Sequence, residues 1–196
     1  MYDCKRTTMS MLISSCHPAK AGLQALLAET LLDHGAALEG PGSAWQSTLL
    51  TALAFGYLDT ALALARRGAA VDSLAKAAGL GRREETSRLL SLADGPSRHL
   101  AFALAAQHGH VDIVRLLLDA GEDPNRYNPS GCHPHSTPLH QAVAANHAAV
   151  VRLLVERSAR LDLQDTVYRG TPLDWAVHCQ RPEIAAYLRE RGALTA

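Results

Sequence analysis

The sequence has no excess of charge of either sign and few aromatic residues. Its 196 residues include 19 Lys and Arg against 19 Asp and Glu, so the formal net charge is zero, and aromatic side chains make up 5%. Non-specific binding to nucleic acid or to an anionic membrane depends on a clear basic surplus, and base stacking depends on aromatic platforms. We therefore expect neither nucleic acid nor membrane as a partner.

Cysteine is also sparse, and no apolar run has the length of a membrane span. The four cysteines, at positions 4, 16, 132 and 179, form no Cys-x-x-Cys pair. A disulfide-stapled secreted scaffold would be richer in cysteine, so we expect free thiols and a cytoplasmic protein. The sequence lacks a Gly-x-Ser-x-Gly elbow, a glycine-rich phosphate loop and a paired-carboxylate signature. These absences predict that the chain is not an enzyme.

What the sequence does contain is an internal repeat. The segment 117–121, LLDAG, returns with changes at 154–158 and at 188–192, which are spacings of 37 and 34 residues. A second landmark, TPLH at 137–140, returns as TPLD at 171–174. Fixed periods in this range are typical of repeat proteins, whose units bury their apolar faces against one another.

Each unit has the pattern of two helices. Thr137 is a good N-cap, and Pro138 follows where its missing N–H has no intrahelical partner to lose. Leu139, Ala142 and Val143 then lie at three- to four-residue spacing and form one apolar face. A polar break and a second apolar stripe follow, and the unit ends at glycine, which caps helices readily. The pattern predicts helix, tight turn, helix and loop.

These units resemble ankyrin repeats, whose signature begins T-P-L-H-x-A, and the last three look most like those of bacterial ankyrin repeat proteins. The resemblance is strong at 137–160 and weak at 12–38. It implies an all-α solenoid of about six helix-turn-helix repeats, one shortened and one followed by an extended finger loop. We expect a single domain over residues 1–196, with repeats near 9–38, 45–70, 72–93, 98–125, 136–161 and 170–194.

The third repeat departs from the pattern because it is short. Gly68 and Gly121 are 53 residues apart, which is too few for two full repeats. Alignment with the next repeat puts Thr86 at a core position, but it also puts Glu85 and Arg88 at core positions. We therefore expect this repeat to be the least stable.

The extended loop, residues 125–136, offers the sharpest candidate for a metal site. Cys132, His133 and His135 are soft ligands, and His178 of the next repeat could supply a fourth. Because the spacing matches no zinc-finger pattern, a metal-binding or metal-dependent protein stays the alternative interpretation. No other cofactor is expected.

By resemblance, the first helices and loops of an ankyrin stack line a concave face that binds a protein partner. We therefore predict a non-enzymatic protein-protein interaction module, such as a bacterial regulator, inhibitor or immunity protein, with a partner of unknown identity. A structural segment of a larger assembly is a further alternative. The predicted partner-binding residues are Phe55, Leu80, Leu104, His108, Arg126, Tyr127, Gln141, Tyr168, Arg169, Trp175 and His178. Whether Trp175 and Trp45 bind a partner or cover neighbouring repeats stays open.

Overall fold

The computed structural model describes residues 7–39 and 47–195, and every regular element in those ranges is an α-helix, as the sequence predicted. The chain divides into two compact units, a first unit ending at Asp72 and a second unit beginning at Ser73. The helices described in the first unit are α1 (Thr8–Ile13), α2 (Cys16–Lys20), α3 (Gln24–Asp33), α4 (Thr48–Ala54) and α5 (Leu58–Arg66). Those of the second unit are α6 (Leu74–Gly79), α7 (Arg83–Leu90), α8 (Gly95–Gln107), α9 (Val111–Asp119), α10 (Pro138–Ala144), α11 (Ala148–Glu156), α12 (Pro172–His178) and α13 (Pro182–Glu190).

The second unit is a stack of four helix pairs. The first helices of the pairs, α6, α8, α10 and α12, pack side by side in chain order, and the second helices, α7, α9, α11 and α13, do the same. The apolar faces meet in one continuous core, to which Phe102, Ile113, Leu139 and Leu154 contribute fully buried side chains. Small residues such as Ala142 let the first helices approach closely, so each pair is buried by its neighbours.

The threonine-proline pairs start α10 and α12 as the sequence predicted. Thr137 and Thr171 are extended N-cap residues, and the proline that follows each one is the first residue of the helix. The third helical residue closes a capping box in both cases, as His140 in α10 and Asp174 in α12. Two orphan donors of each helix start are thereby satisfied.

The tight turn inside each pair of the second unit uses a left-handed backbone conformation. The residues at this position, with their φ angles, are Gly81 (77°), Gly109 (79°), Asn146 (63°) and Gln180 (57°). Glycine takes up this conformation without strain, whereas asparagine and glutamine do so at some cost. The two glycines lie where a histidine of the next pair packs against the turn.

Those histidines connect consecutive pairs. His110 bonds through Nε2 to the Gly79 carbonyl oxygen at 2.9 Å, and a Cβ at Gly81 would lie 2.7 Å from its ring. One pair later, His147 bonds to the backbone of Gln107, and a Cβ at Gly109 would lie 2.5 Å from its ring. Burial lowers the pKa of both imidazoles, which favours the neutral form.

This geometry predicts unequal costs for two glycine substitutions. Gly109→Ala should lower the free energy of unfolding by about 3 kcal/mol, because a positive φ and the displaced His147 ring add up. Gly121 also has a positive φ, 91°, but a Cβ there meets nothing within 4 Å, so Gly121→Ala should cost only about 1 kcal/mol. Urea denaturation of both variants measures the difference. Equal losses would show that the contact with His147 is unimportant.

The short third repeat comprises α6 and α7. Thr86 is the only residue of α7 that is fully buried, as the alignment required. The alignment was wrong about Glu85 and Arg88, because Arg88 is exposed and Glu85 reaches Arg82 in an ion pair of 3.3 Å. Burying either charge without a partner would be costly, so the outer face of this pair stays solvated.

No finger loop separates the third and fourth repeats. Helix α7 ends at Leu90 and α8 begins at Gly95, with Asp94 as an N-cap that accepts a hydrogen bond from the Ser97 N–H at 2.9 Å. With 13 residues, α8 is the longest helix that the structure describes. Its first turns place Arg98 and His99 beside the next loop.

In the first unit, the expected first helix is replaced by two short ones, α1 and α2, which precede α3. Gln24 holds these elements together. Its side-chain amide donates to the carbonyl oxygens of Leu12 and Ser15 at 3.0 and 3.1 Å, and its Oε1 accepts from the Thr60 hydroxyl of α5 at 3.1 Å. One buried amide thus connects α3 with the end of α1 and with α5.

Candidate functional site

Two long loops project from the second unit. The first finger loop, residues 120–136, connects α9 with α10, and the second finger loop, residues 157–170, connects α11 with α12. Most other connections between the described helices are short. Because binding residues commonly lie on surface loops, these two long loops are the first candidates for a binding site.

Hydrogen bonds join the two finger loops along their length. The Tyr127 hydroxyl donates to the Gln164 carbonyl oxygen at 2.6 Å, and the Thr166 N–H donates to the His135 carbonyl oxygen at 2.8 Å. Nearer the helices, Asn125 Oδ1 accepts from the Arg160 N–H at 2.8 Å. These bonds fix one loop against the other.

Asp165 organises the second finger loop. Its carboxylate accepts hydrogen bonds from the backbone N–H groups of Val167 (2.9 Å), Tyr168 (2.6 Å) and Gly170 (3.0 Å). A fourth donor is the Trp175 Nε1–H at 2.9 Å. Burial by itself raises the pKa of Asp165, but these hydrogen bonds outweigh it and lower the pKa to about 2. The turn is therefore built around a fully buried carboxylate that is ionised at neutral pH.

Trp175 supports this turn from α12. The indole is partly buried and packs against the core of the second unit, and its ring lies 5.1 Å from that of His140 in an edge-to-face arrangement. With the bond to Asp165, these contacts occupy most of the side chain. Trp175, predicted as a partner-binding residue, is therefore partly buried: it packs against His140 of the preceding repeat and holds the second finger loop.

The turn presents two large apolar side chains to solvent. Val167 is 59% exposed and Tyr168 is 78% exposed. Arg169 follows with a positive φ of 62° and an exposed side chain. On the first finger loop, Arg126 and Tyr127 are also exposed, although the Tyr127 hydroxyl is committed to the bond with Gln164. We call Arg126, Tyr127, Val167, Tyr168 and Arg169 the loop tips.

His140 lies behind the tips as a buried connector. Its Nδ1 accepts from the Thr137 N–H at 3.3 Å, and its Nε2–H donates to the Gly170 carbonyl oxygen at 3.1 Å. Burial lowers the pKa of His140 to about 4, against the opposing effects of Gly170 and the Asp165 carboxylate. The neutral imidazole thus ties α10 to the second finger loop.

Four predicted partner-binding residues lie in the interior instead of on an open face. Leu104 is fully buried, and Leu80, His108 and Gln141 are each 7% exposed. The first helices are covered along this side: Gln141, for example, donates through Nε2 to the Ser136 hydroxyl of the first finger loop at 2.8 Å. These four predictions are therefore wrong, because the side chains do not reach the described surface of the second unit.

Two further residues that were predicted to bind a partner, His178 and Phe55, are exposed in the structure. His178 is exposed at the end of α12 beside Val177, which is 52% exposed. Phe55 belongs to the first unit, where it is 49% exposed and stacks on Tyr57 with ring centroids 5.9 Å apart. Trp45 lies outside the described residues.

The candidate ligands of the first finger loop are not gathered into a metal site in the described chain. Cys132 is 1% exposed and its thiol donates to Gln107 Oε1 at 3.5 Å, and burial raises the pKa of that thiol to about 12. Within residues 7–39 and 47–195, no group of three or more His, Cys, Asp or Glu side chains is arranged to hold a metal ion.

Sequence reasoning missed Asp165 and Val167. A signal for Asp165 was present. Aspartate commonly accepts hydrogen bonds from backbone N–H groups two or three residues further along, and Gly170, which favours a turn, follows five residues after Asp165.

None of the described helices is long and apolar enough to cross a membrane.

Comparison with known proteins agrees with this architecture. Residues 102–195, all in the second unit, match the family described as ankyrin repeats (3 copies). The chain is 32% identical over 123 residues to cyclin-dependent kinase inhibitor 2A of Monodelphis domestica, a match that covers 61% of this chain and 70% of that protein.

Two further relatives are much longer than this chain. Over 94 residues it is 34% identical to NF-kappa-B inhibitor cactus of Drosophila melanogaster, covering 47% of this chain and 18% of that protein. Over 89 residues it is 37% identical to ankyrin repeat and SAM domain-containing protein 6 of Mus musculus, covering 45% of this chain and 10% of that protein. The shared part of these two proteins is a small fraction of their length.

Proposed function

Because the chain belongs to the ankyrin repeat family, we propose that it binds a partner protein through the loop tips of its second unit. The observation that carries this proposal is the exposure of Tyr168 on a turn fixed by Asp165. An exposed aromatic ring on a rigid turn loses little conformational entropy on binding, and such rings commonly anchor protein interfaces. His178 and Val177 are also exposed, at the end of α12 opposite the second finger loop.

We further propose that the protein acts as a non-catalytic inhibitor or regulator, which works by covering a surface of its partner. Two of the relatives are named as inhibitors, one of a cyclin-dependent kinase and one of NF-kappa-B. The resemblance of the last three repeats to those of bacterial proteins supports a bacterial regulator or immunity protein as the specific form of this role.

A substitution at the tip tests the proposal. Tyr168→Ala should weaken partner binding by about 2 kcal/mol, roughly 30-fold in Kd, because the ring would be desolvated at the interface. The partner is first captured from a native lysate and identified, and calorimetry then compares the purified proteins. Since the Tyr168 backbone N–H and not its ring holds the loop, urea denaturation should show an unchanged free energy of unfolding.

Glu190→Ala is the matched control, because Glu190 is exposed on α13 and belongs to neither finger loop. It should bind like the wild type. Unchanged affinity in Tyr168→Ala, or an equal loss in both variants, would remove the loop tips from the interface.

We also propose that the protein works in the reducing cytoplasm. Of its cysteines, Cys16, Cys132 and Cys179 are free thiols, and Cys4 lies outside the described residues. Thiol titration of the denatured, unreduced protein should therefore return all four cysteines named in the sequence. A count lower by two would indicate a disulfide and contradict this location.

A further inference from the structure

Three of the four acidic side chains of the finger loops are engaged within the protein. Asp165 is buried and accepts four N–H donors. Asp162 holds Arg160 in a two-pronged ion pair of 3.0 and 2.8 Å. Glu122, also buried, accepts from Arg98 Nε at 3.3 Å. These carboxylates are thus engaged before a partner arrives.

The side chains of the two arginines of the loop tips, unlike these carboxylates, have no bonding partner among the described residues. Arg126 and Arg169 are exposed, and neither side chain forms an ion pair or hydrogen bond with any residue in the described part of the chain. Asp123, near Arg126 in sequence, accepts the Asn125 N–H at 2.9 Å. The tips therefore carry positive charge that no described acidic side chain pairs with, although the whole chain is neutral.

The same tips carry the exposed apolar groups. Arg126 precedes Tyr127 on the first finger loop, and Arg169 follows Val167 and Tyr168 on the second. Because the Tyr127 hydroxyl bonds to the second loop at Gln164, the loop backbones that carry the two arginines are held together before binding. A partner that matches this surface combines carboxylates with an apolar side chain.

We propose that the loop tips bind an acidic segment of the partner protein, with its carboxylates facing Arg126 and Arg169 and an aromatic or aliphatic side chain against Val167 and Tyr168. This inference rests on the proposed function and specifies the chemistry of the partner. Complementary charge at an interface raises the association rate and makes binding sensitive to salt, whereas the apolar contact supplies most of the affinity.

A random copolymer of glutamate and tyrosine is a suitable probe, because it offers both groups without assuming a partner. Fluorescence anisotropy with the labelled copolymer should detect binding that weakens at least about tenfold as salt is raised from about 50 to about 200 mM. Arg126→Ala with Arg169→Ala should weaken binding at least about tenfold at the lower salt. Urea denaturation confirms that the double variant folds.

The matched control is Arg83→Ala with Arg189→Ala. Both residues are exposed on second helices of the second unit, and the change in net charge is the same. This variant should bind the copolymer like the wild type. Absence of wild-type binding, or equal losses in the two double variants, would overturn the inference. Equally tight binding of a DNA duplex would also overturn it, because the tips would then select phosphate as well as they select an acidic protein segment.

The captured partner separates this inference from the proposed function. If Tyr168→Ala loses the partner while the copolymer fails to bind, the acidic segment is wrong and the protein-binding function stands. If neither Tyr168→Ala nor the arginine pair affects the captured partner, the proposed function itself fails.

Discussion

Replacing Asp165 with alanine should lower the free energy of unfolding of the second unit by about 3 kcal/mol. The substitution removes the acceptor of four hydrogen bonds, three from the backbone of the second finger loop and one from the Trp175 indole. Bonds to a charged acceptor contribute more than neutral ones, and donors left without a partner add their desolvation cost. Urea denaturation of the wild type and Asp165→Ala measures the loss.

Asp162→Ala is the control for charge and position. Asp162 lies on the same loop, but it is exposed and bonds only to Arg160, which is exposed as well, so its removal should leave the unfolding transition essentially unchanged. Asp165→Ala should also weaken partner binding, because Tyr168 would lose its fixed position. A fully stable Asp165→Ala variant would show that the carboxylate does not organise the loop.

Acidification should destabilise the second unit through its histidines. The pKa of His140 is about 4 in the folded chain, against about 6.5 in an unfolded one. Between these pH values the imidazole binds a proton in the unfolded chain but not in the folded one. The contribution of His140 to the free energy of unfolding is therefore complete above about pH 6.5 and is lost as the pH falls toward 4. The pKa difference of His140 corresponds to a loss of about 3 kcal/mol in the free energy of unfolding. The lowered pKa values of His110 and His147 act in the same direction.

Chemical denaturation at about pH 7.5 and about pH 4.5 tests this dependence. His140→Gln should be less stable than the wild type at the higher pH, but its free energy of unfolding should fall less on acidification because the main titrating group is gone. Asp165, whose pKa is about 2, keeps its stabilising effect over this range and loses it only as the pH falls from about 4 toward 2. Equal slopes for the two proteins would contradict the role given to His140.

The helices could be predicted from the sequence because their signals are local. The start of α10 is predicted by Thr137 and Pro138. Its buried face is predicted by the spacing of Leu139, Ala142 and Val143, and all three are buried in the structure. The repeat of TPLH at 137–140 as TPLD at 171–174 likewise marks the starts of α10 and α12. Each of these inferences depends on residues a few positions apart.

The binding surface could be predicted only in part, because exposure depends on what the following loop covers. Leu104 and Gln141 lie on the side of their helices that the repeat register assigns to an open face, yet both are buried. Trp175 was assigned to that face as well. Its indole instead meets Asp165, ten residues earlier, and no periodic pattern encodes a contact between a loop carboxylate and a helix residue.

The loop tips illustrate the same limit in the opposite direction. Tyr168 and Arg169 were predicted from their place in a loop, and both are exposed. Val167 was overlooked because a valine ordinarily counts as a buried residue. Its 59% exposure follows from the turn that Asp165 imposes, so the missed carboxylate and the missed apolar residue have one cause.

Contact between the loop tips and the partner is the central claim, and site-specific photo-crosslinking in native lysate tests it most directly. A photoreactive phenylalanine is introduced at position 168 in one variant and at position 189, on the exposed face of α13, in another. The account predicts a discrete adduct with one partner protein from position 168 and none from position 189. An adduct formed only from position 189 would contradict it.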